Sequence, residues 1–209
     1  MRENVVEAAH ALAALGLVTA FGHVSARLAD RILITPATDL ADVDEPGLIE
    51  MSHDATALPP GAPAEGWIHL ALYRARPDVA AIARAQPPAA FAVAEELRPV
   101  HGQACWLGRT VPVHDDARLL RSPELADAAA KCLPDGEALI LRGNGAVTVG
   151  ADPGIAVTRM WLLQMNCRLP RTKELNDDEI DSWRAVQDEL LPRLWRHLLR
   201  RHLFRKARA

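Results

Sequence analysis

The run EALILRGNGAVTVG, Glu137 to Gly150, constrains the fold more than any other stretch of this chain. Two apolar, strand-like segments flank Gly143-Asn144-Gly145, where glycine permits the left-handed backbone that a tight turn needs. The pattern predicts a β-hairpin. A lone hairpin is marginal in water, so the rest of the chain has to supply further strands and helices to cover it.

Those signals alternate along the sequence. A first helix is expected from about Glu3 to Leu15, stopped by Gly16. FGHVSARL and RILITP follow as short strands, and in the first of them His23, Ser25 and Arg27 share one face. The Asp-, Pro- and Gly-rich segment from Ala37 to Pro63 has room for one more strand around GLIEM. A helix from about Glu65 to Ala75 precedes the strand VAAIA, and a further helix is expected from Pro87 or Pro88 to Leu97. QACWLG and TVPVHD look strand-like. Ser122-Pro123-Glu124 carries the cap, first-turn proline and acid of a helix start. Asp152-Pro153 opens another helix, through about Cys167, and the last helical region, Asp177 to Lys206, is expected to break or kink at Pro192. Without repeats or linkers, residues 1–209 form one α/β domain with a mixed sheet on this reading.

Composition sets the broad class. With 49% apolar and 24% charged residues, disorder is excluded. No run approaches the roughly 20 apolar residues of a membrane span. Cys105, Cys132 and Cys167 are odd in number and form no CxxC, which suits free thiols in a reducing, cytoplasmic setting. Beyond Glu189, Arg193, Arg196, Arg200, Arg201, Arg205, Lys206 and Arg208 meet no acid. With Leu194, Trp195, Leu198, Leu199 and Leu203 opposite, they are taken as the solvated face of a terminal helix, with neither nucleic acid nor membrane as partner.

One stretch resists this reading. In VAAIARAQPP an apolar strand ends in Arg84-Ala85-Gln86, whose two polar side chains point the same way. Taken in order, GHVSARL…ILITPAT, EGWIHLALYRARPDVAAIARAQPP, LGRTVPVHD and ALILRGNGAVTVGADP resemble the class II aldolase/adducin family over about residues 4 to 170. The resemblance implies a three-layer α/β/α fold around a mainly antiparallel mixed sheet. It also implies a homotetramer with active sites at subunit interfaces, and lyase chemistry supported by a divalent metal on three histidines.

Where the family places a His-x-His this chain has Arg84 and Gln86, and the hairpin histidine is Asn144. A guanidinium carries five donors and no acceptor, so no metal and no other cofactor is expected here. The family's catalytic glutamate falls on Glu65. Its phosphate-binding serine pair falls on Pro63-Ala64 and its phosphate-binding asparagine on His23, while Ser25 and Thr38 keep hydroxyls. The expected substrate is therefore small, unphosphorylated, and carboxylate- or carbonyl-bearing. Glu65 is the expected acid/base and Arg84 the oxyanion or carboxylate clamp; His23, Ser25, Thr38, Gln86, His101 and Asn144 are the expected substrate contacts. Two alternatives stand beside this: an inactive adducin-like binding or scaffold protein in which Arg84 quenches Glu65, and a metal enzyme with relocated ligands. His69 is read as structural, and His114 as a surface or loop residue.

Overall fold

The computed structural model describes residues 1–171 and 173–206, the side chains of 201–206 excepted. The side chains of Arg201, Leu203, Arg205, Lys206 and Arg208 thus lie outside the described residues. In chain order the elements are α1 (Arg2–Ala14), β1 (His23–Arg27), β2 (Arg31–Ile34), β3 (Ile49–Ser52), α2 (Trp67–Ala75), β4 (Ala81–Ala85) and β5 (Val113–His114). They continue with α3 (Pro123–Ala130), β6 (Ala138–Leu141), β7 (Gly145–Gly150), α4 (Pro153–Arg168), α5 (Asp177–Arg184) and α6 (Gln187–Lys206). The strands form one sheet in the order β3-β2-β1-β4-β7-β6-β5, antiparallel throughout except where β5 meets β6.

Strand alternation divides the interior into two cores. Val24, Ala26, Ala83 and Ala85 face α1, α4 and α6, while Ile32, Ile34, Ile82 and Val149 face α2 and α3. The result is the three-layer arrangement. On α2, Ile68, Leu70 and Leu72 are fully buried, each contributing about 1.5–3 kcal/mol relative to an exposed side chain. Helix starts follow cap chemistry: Ser122 accepts from Leu125 N–H, Asp152 from Ile155 N–H, and Asn176 forms a reciprocal capping box with Glu179.

The hairpin turns where the sequence places it. Gly145 has φ +97°, and a Cβ there would sit 2.3 Å from the Ala85 carbonyl oxygen. Only glycine lets the turn lie so close to the end of β4.

Three local expectations need correction. Pro88–Ala92 is a single 3-10 turn, not a helix reaching Leu97. Leu97 instead exchanges both backbone hydrogen bonds with Val111, at 3.0 and 2.7 Å, which requires an extended chain. QACWLG is likewise a 3-10 turn over Gly102–Leu107 rather than a strand. Its carbonyls go to arginines: Trp106 O accepts from Arg159 and Cys105 O from Arg184, so no neighbouring strand is needed to satisfy them. The last helical region breaks at Ala185–Val186, and Pro192 lies inside α6. Helix α5 is pinned by the Trp106 indole donating to Trp183 O, while α6 turns to lay Trp195 over Gly154 of α4.

His114 is also not a surface residue; it is buried on β5, with Nδ1 3.6 Å from Cys132 Sγ. On α6, Arg193, Arg196 and Arg200 are exposed and Leu198 is buried, as an amphipathic terminal helix requires. The three cysteines are unpaired, and no described helix is long and apolar enough to cross a membrane.

Candidate active site

Antiparallel pairing sets His23, at the start of β1, directly across from Arg84, near the end of β4. The loop before α2 brings Glu65 to the same end of the sheet, and the β6–β7 turn brings Asn144. A cavity of about 270 Å³ opens there, its wall including Phe21, His23, Thr38, Glu65, Arg84 and Arg121.

Arg84 is 1% exposed and gives one N–H, from Nη2, to Glu65 Oε2 at 2.7 Å. Its Nε and Nη1 are buried without a partner among the described residues. Burial pulls the guanidinium below its ordinary pKa, against the opposing pull of the Glu65 carboxylate. Buried donors left unmade are costly, so two on one cationic side chain beside a cavity mark a place built for an acceptor. The other oxygen of Glu65, Oε1, accepts from Leu120 N–H and Asn144 Nδ2, both at 3.0 Å. The carboxylate is therefore held at both oxygens and cannot swing away from the cavity.

The remaining expected residues are placed unevenly. Thr38 is on the cavity wall, and Pro63 and Ala64 line it as well, offering neither an N–H at Pro63 nor a hydroxyl. Asn144 is 7% exposed and occupied in positioning Glu65. Gln86 Oε1 accepts from Thr19 Oγ1 at 3.3 Å, outside the wall. His101 lies outside it too, its Nε2 buried and unpartnered among the described residues and its pKa lowered by burial. Ser25 is completely buried behind His23.

Two residues behind the wall were not singled out for the site by sequence reasoning. His23 Nδ1 lies 2.6 Å from His69 Nε2, His69 Nδ1 lies 2.5 Å from Ser25 Oγ, and Ser25 Oγ lies 2.8 Å from Tyr73 Oη. Burial pushes both imidazoles down, His69 to about 3, with the nearby Arg84 charge adding to it; for His23 the His69 ring adds as well. Burial pushes the Tyr73 phenol up. The signal available in sequence was spacing: His69 and Tyr73 are four apart on α2, so they share a helix face opposite the His23–Ser25 strand face. Arg121 was missed as well; it is exposed on the cavity rim with no side-chain partner among the described residues.

The donor set at the family's metal position does not fit a divalent cation. Arg84 has no lone pair to offer, Gln86 is turned to Thr19, and Asn144 is turned to Glu65. Among the described residues no three His, Cys, Asp or Glu side chains group as metal ligands would.

Comparison with known proteins bears on the same site. The model of the Class II Aldolase and Adducin N-terminal domain matches residues 3–170. The 3,4-dihydroxyphthalate decarboxylase of Rhodococcus jostii (strain RHA1) is 30% identical over 189 residues, 80% of this chain and 78% of its own. The protein of the same name from Terrabacter sp. (strain DBF63) is 30% identical over 199 residues, 80% and 79% of the two chains. Among solved structures, l-fuculose-1-phosphate aldolase from Thermus thermophilus has a TM-score of 0.72 at 27% identity, covering 80% of this chain and 94% of its own. L-fuculose 1-phosphate aldolase from Glaciozyma antarctica PI12 has a TM-score of 0.80 over 99% and 90% of the two chains, a likeness of fold alone at 19% identity. The family match and the decarboxylase relatives point to a lyase. With the matched segment and the mostly antiparallel sheet in agreement, the chain belongs to the class II aldolase and adducin family.

Proposed function

We propose that this protein is a metal-independent lyase that decarboxylates a small, unphosphorylated carboxylic acid. The carrying observation is Arg84: a buried cation with two donor nitrogens unpaired among the described residues, on the wall of a cavity it shares with Glu65. The decarboxylases named above support decarboxylation over aldol or dehydration chemistry. Pro63 and Ala64 on the wall support an unphosphorylated substrate.

In this reading the bond pair released with CO2 is delocalised onto the oxygen of a neighbouring carbonyl and leaves an enolate-like oxyanion. Arg84 stabilises that charge with preorganised donors in a site of low dielectric. The pair then returns to carbon and takes a proton delivered through Glu65 from solvent, so that one carboxylate and one proton become one C–H bond and CO2. Arg121, on the rim, fits a second carboxylate of the same molecule.

The family's homotetramer, with sites at subunit boundaries, is carried over as part of this proposal. Phe21 and Leu119, 67% and 45% exposed, lie close in sequence to the cavity residues Gly22 and Arg121 and suit closure by a neighbouring subunit. Free cysteines suit a cytoplasmic protein, and the partner is a small molecule rather than a nucleic acid.

The test is CO2 release from a panel of aromatic and aliphatic mono- and dicarboxylates, 3,4-dihydroxyphthalate included, by the wild-type chain and by Arg84→Ala. Turnover confined to the wild type is the expected result. Turnover retained by Arg84→Ala would remove the clamp, and no turnover of any acid, with or without added divalent metal, would favour the scaffold reading.

A further inference from the structure

The His23–His69–Ser25–Tyr73 chain contains four side chains and three contacts, all buried. In neutral form the four groups carry four mobile protons, one on each imidazole and one on each hydroxyl. Three protons fill the three contacts, and the fourth has to sit at one end. One end is His23 Nε2: Nδ1 is turned inward to His69, so Nε2 is the edge His23 brings to the cavity it lines. The other end is the hydroxyl of Tyr73, a residue 2% exposed, and this hydroxyl has no partner but Ser25 among the described residues.

The two arrangements differ in what they leave unmade. If each group donates away from the cavity, the Tyr73 O–H is left in the core with no acceptor, an unmade buried bond. If each donates toward the cavity, Tyr73 gives to Ser25, Ser25 to His69 Nδ1, and His69 Nε2–H to His23 Nδ1. Every internal donor is then satisfied, and His23 presents an N–H where a ligand or water can accept it. Burial and the neighbouring Arg84 charge keep both rings neutral, so no fifth proton blurs the choice. The Arg27 guanidinium lies 4.7 Å from the centre of the Tyr73 ring and bonds backbone carbonyls of Tyr73, Arg76 and Val79, so it offers the phenol no acceptor.

We infer that this chain fixes His23 as the Nε2–H tautomer and aims that neutral N–H into the cavity as a second oxyanion donor, across the strand pair from Arg84. It is a hydrogen-bond donor and not a general acid. Giving the proton away would have to be made good by Tyr73, whose phenolate is disfavoured in the core. A neutral imidazole donor stabilises a developing oxyanion without quenching it by full proton transfer. The inference rests on the proposed function for its chemical meaning, but its tautomer is measurable without any turnover.

The experiment is long-range 1H–15N correlation NMR on the full chain with 15N-labelled histidine at neutral pH, assigned with His23→Gln and His69→Gln. Expected are Nε2–H tautomers for both rings, and a mixture of tautomers in Ser25→Ala, where the chain is cut. Phthalate, used as a carboxylate probe at a concentration that raises the melting temperature, should shift the His23 Nε2 resonance. Nδ1–H tautomers in the wild type, or an Nε2 resonance that ignores bound phthalate, would overturn the inference. Failure of every acid to react, with Nε2–H tautomers observed, would count against the lyase reading and not against the proton chain.

Discussion

Arg84 meets Glu65 through one contact, Nη2 to Oε2 at 2.7 Å, and keeps Nε and Nη1 in the interior, unpaired among the described residues. A pair evolved only to hold the fold together would use the guanidinium bidentately, because each unmade buried donor lowers stability. The geometry instead leaves the pair half-engaged. Charge and donors are held ready at a cost to the folded state, which is a common signature of a working site.

That cost is measurable. The double variant Arg84→Met/Glu65→Gln replaces a desolvated ion pair by groups needing less solvation, while the introduced amide oxygen can still accept from Leu120 N–H and Asn144 Nδ2. It is expected to be more stable than wild type by about 1–3 kcal/mol in urea melts at pH 7, and without lyase activity. A loss of stability would show that the pair holds the fold and has no reserve for a ligand.

Metal content follows from the same residues. Elemental analysis of untagged protein is expected to find less than about a tenth of an equivalent of any divalent transition metal, since a guanidinium and two engaged amides make no such site. Chelator should leave both melting temperature and turnover unchanged. Close to one tightly held equivalent would mean that ligands come from elsewhere, and His23, His101 and Glu65 would be the first candidates to substitute.

Arg121 separates substrates by charge. Arg121→Ala is expected to raise KM for a dicarboxylate about tenfold, near 1.4 kcal/mol, and to change KM for the matching monocarboxylate far less. The maximal rate should hold, because the exposed Arg121 side chain makes no ion pair with Glu65 among the described residues. Equal effects on both acids would assign it to general electrostatic attraction.

The legible parts of this molecule were those in which local chemistry and tertiary need agree. The Gly143–Gly145 hairpin, the Ser122 and Asp152 caps and the shared face of His23, Ser25 and Arg27 follow from period and turn chemistry alone. The Pro88–Leu97 and Gln103–Gly108 segments did not, because short apolar runs carry no decisive period and long-range bonds from Val111, Arg159 and Arg184 chose their shape. The site divides in the same way. Glu65 and Arg84 came from position in the family pattern, whereas His69 reaches His23 across 46 residues of sequence, and its four-residue spacing to Tyr73 marks a shared helix face without saying what that face meets.

Gly145 is the backbone support of the site. Gly145→Ala puts a Cβ 2.3 Å from Ala85 O and 2.8 Å from Gln86 Cα in a left-handed conformation. A loss of about 2–4 kcal/mol in denaturant melts is expected, with reduced turnover in the surviving folded fraction because β4 must shift next to Arg84. An unchanged melt would mean that the turn has slack the packing does not suggest.

The buried imidazoles set how stability depends on pH. His23 and His69 both have folded pKa values below the ordinary 6.5, His69 at about 3, through burial and the charge of Arg84. Between those limits the unfolded chain binds protons that the folded chain refuses, so stability is complete above pH 6.5 and falls as pH drops toward 3. Each imidazole contributes a slope of roughly 1.4 kcal/mol per pH unit well inside that window. Urea melts at pH 7, 6, 5 and 4 should therefore show a steep decline, and His69→Gln should flatten it by about one proton's worth even if the variant is less stable at pH 7. A slope unchanged by His69→Gln would mean that this ring takes up its proton inside the folded protein, and the neutral chain behind His23 would fall with it.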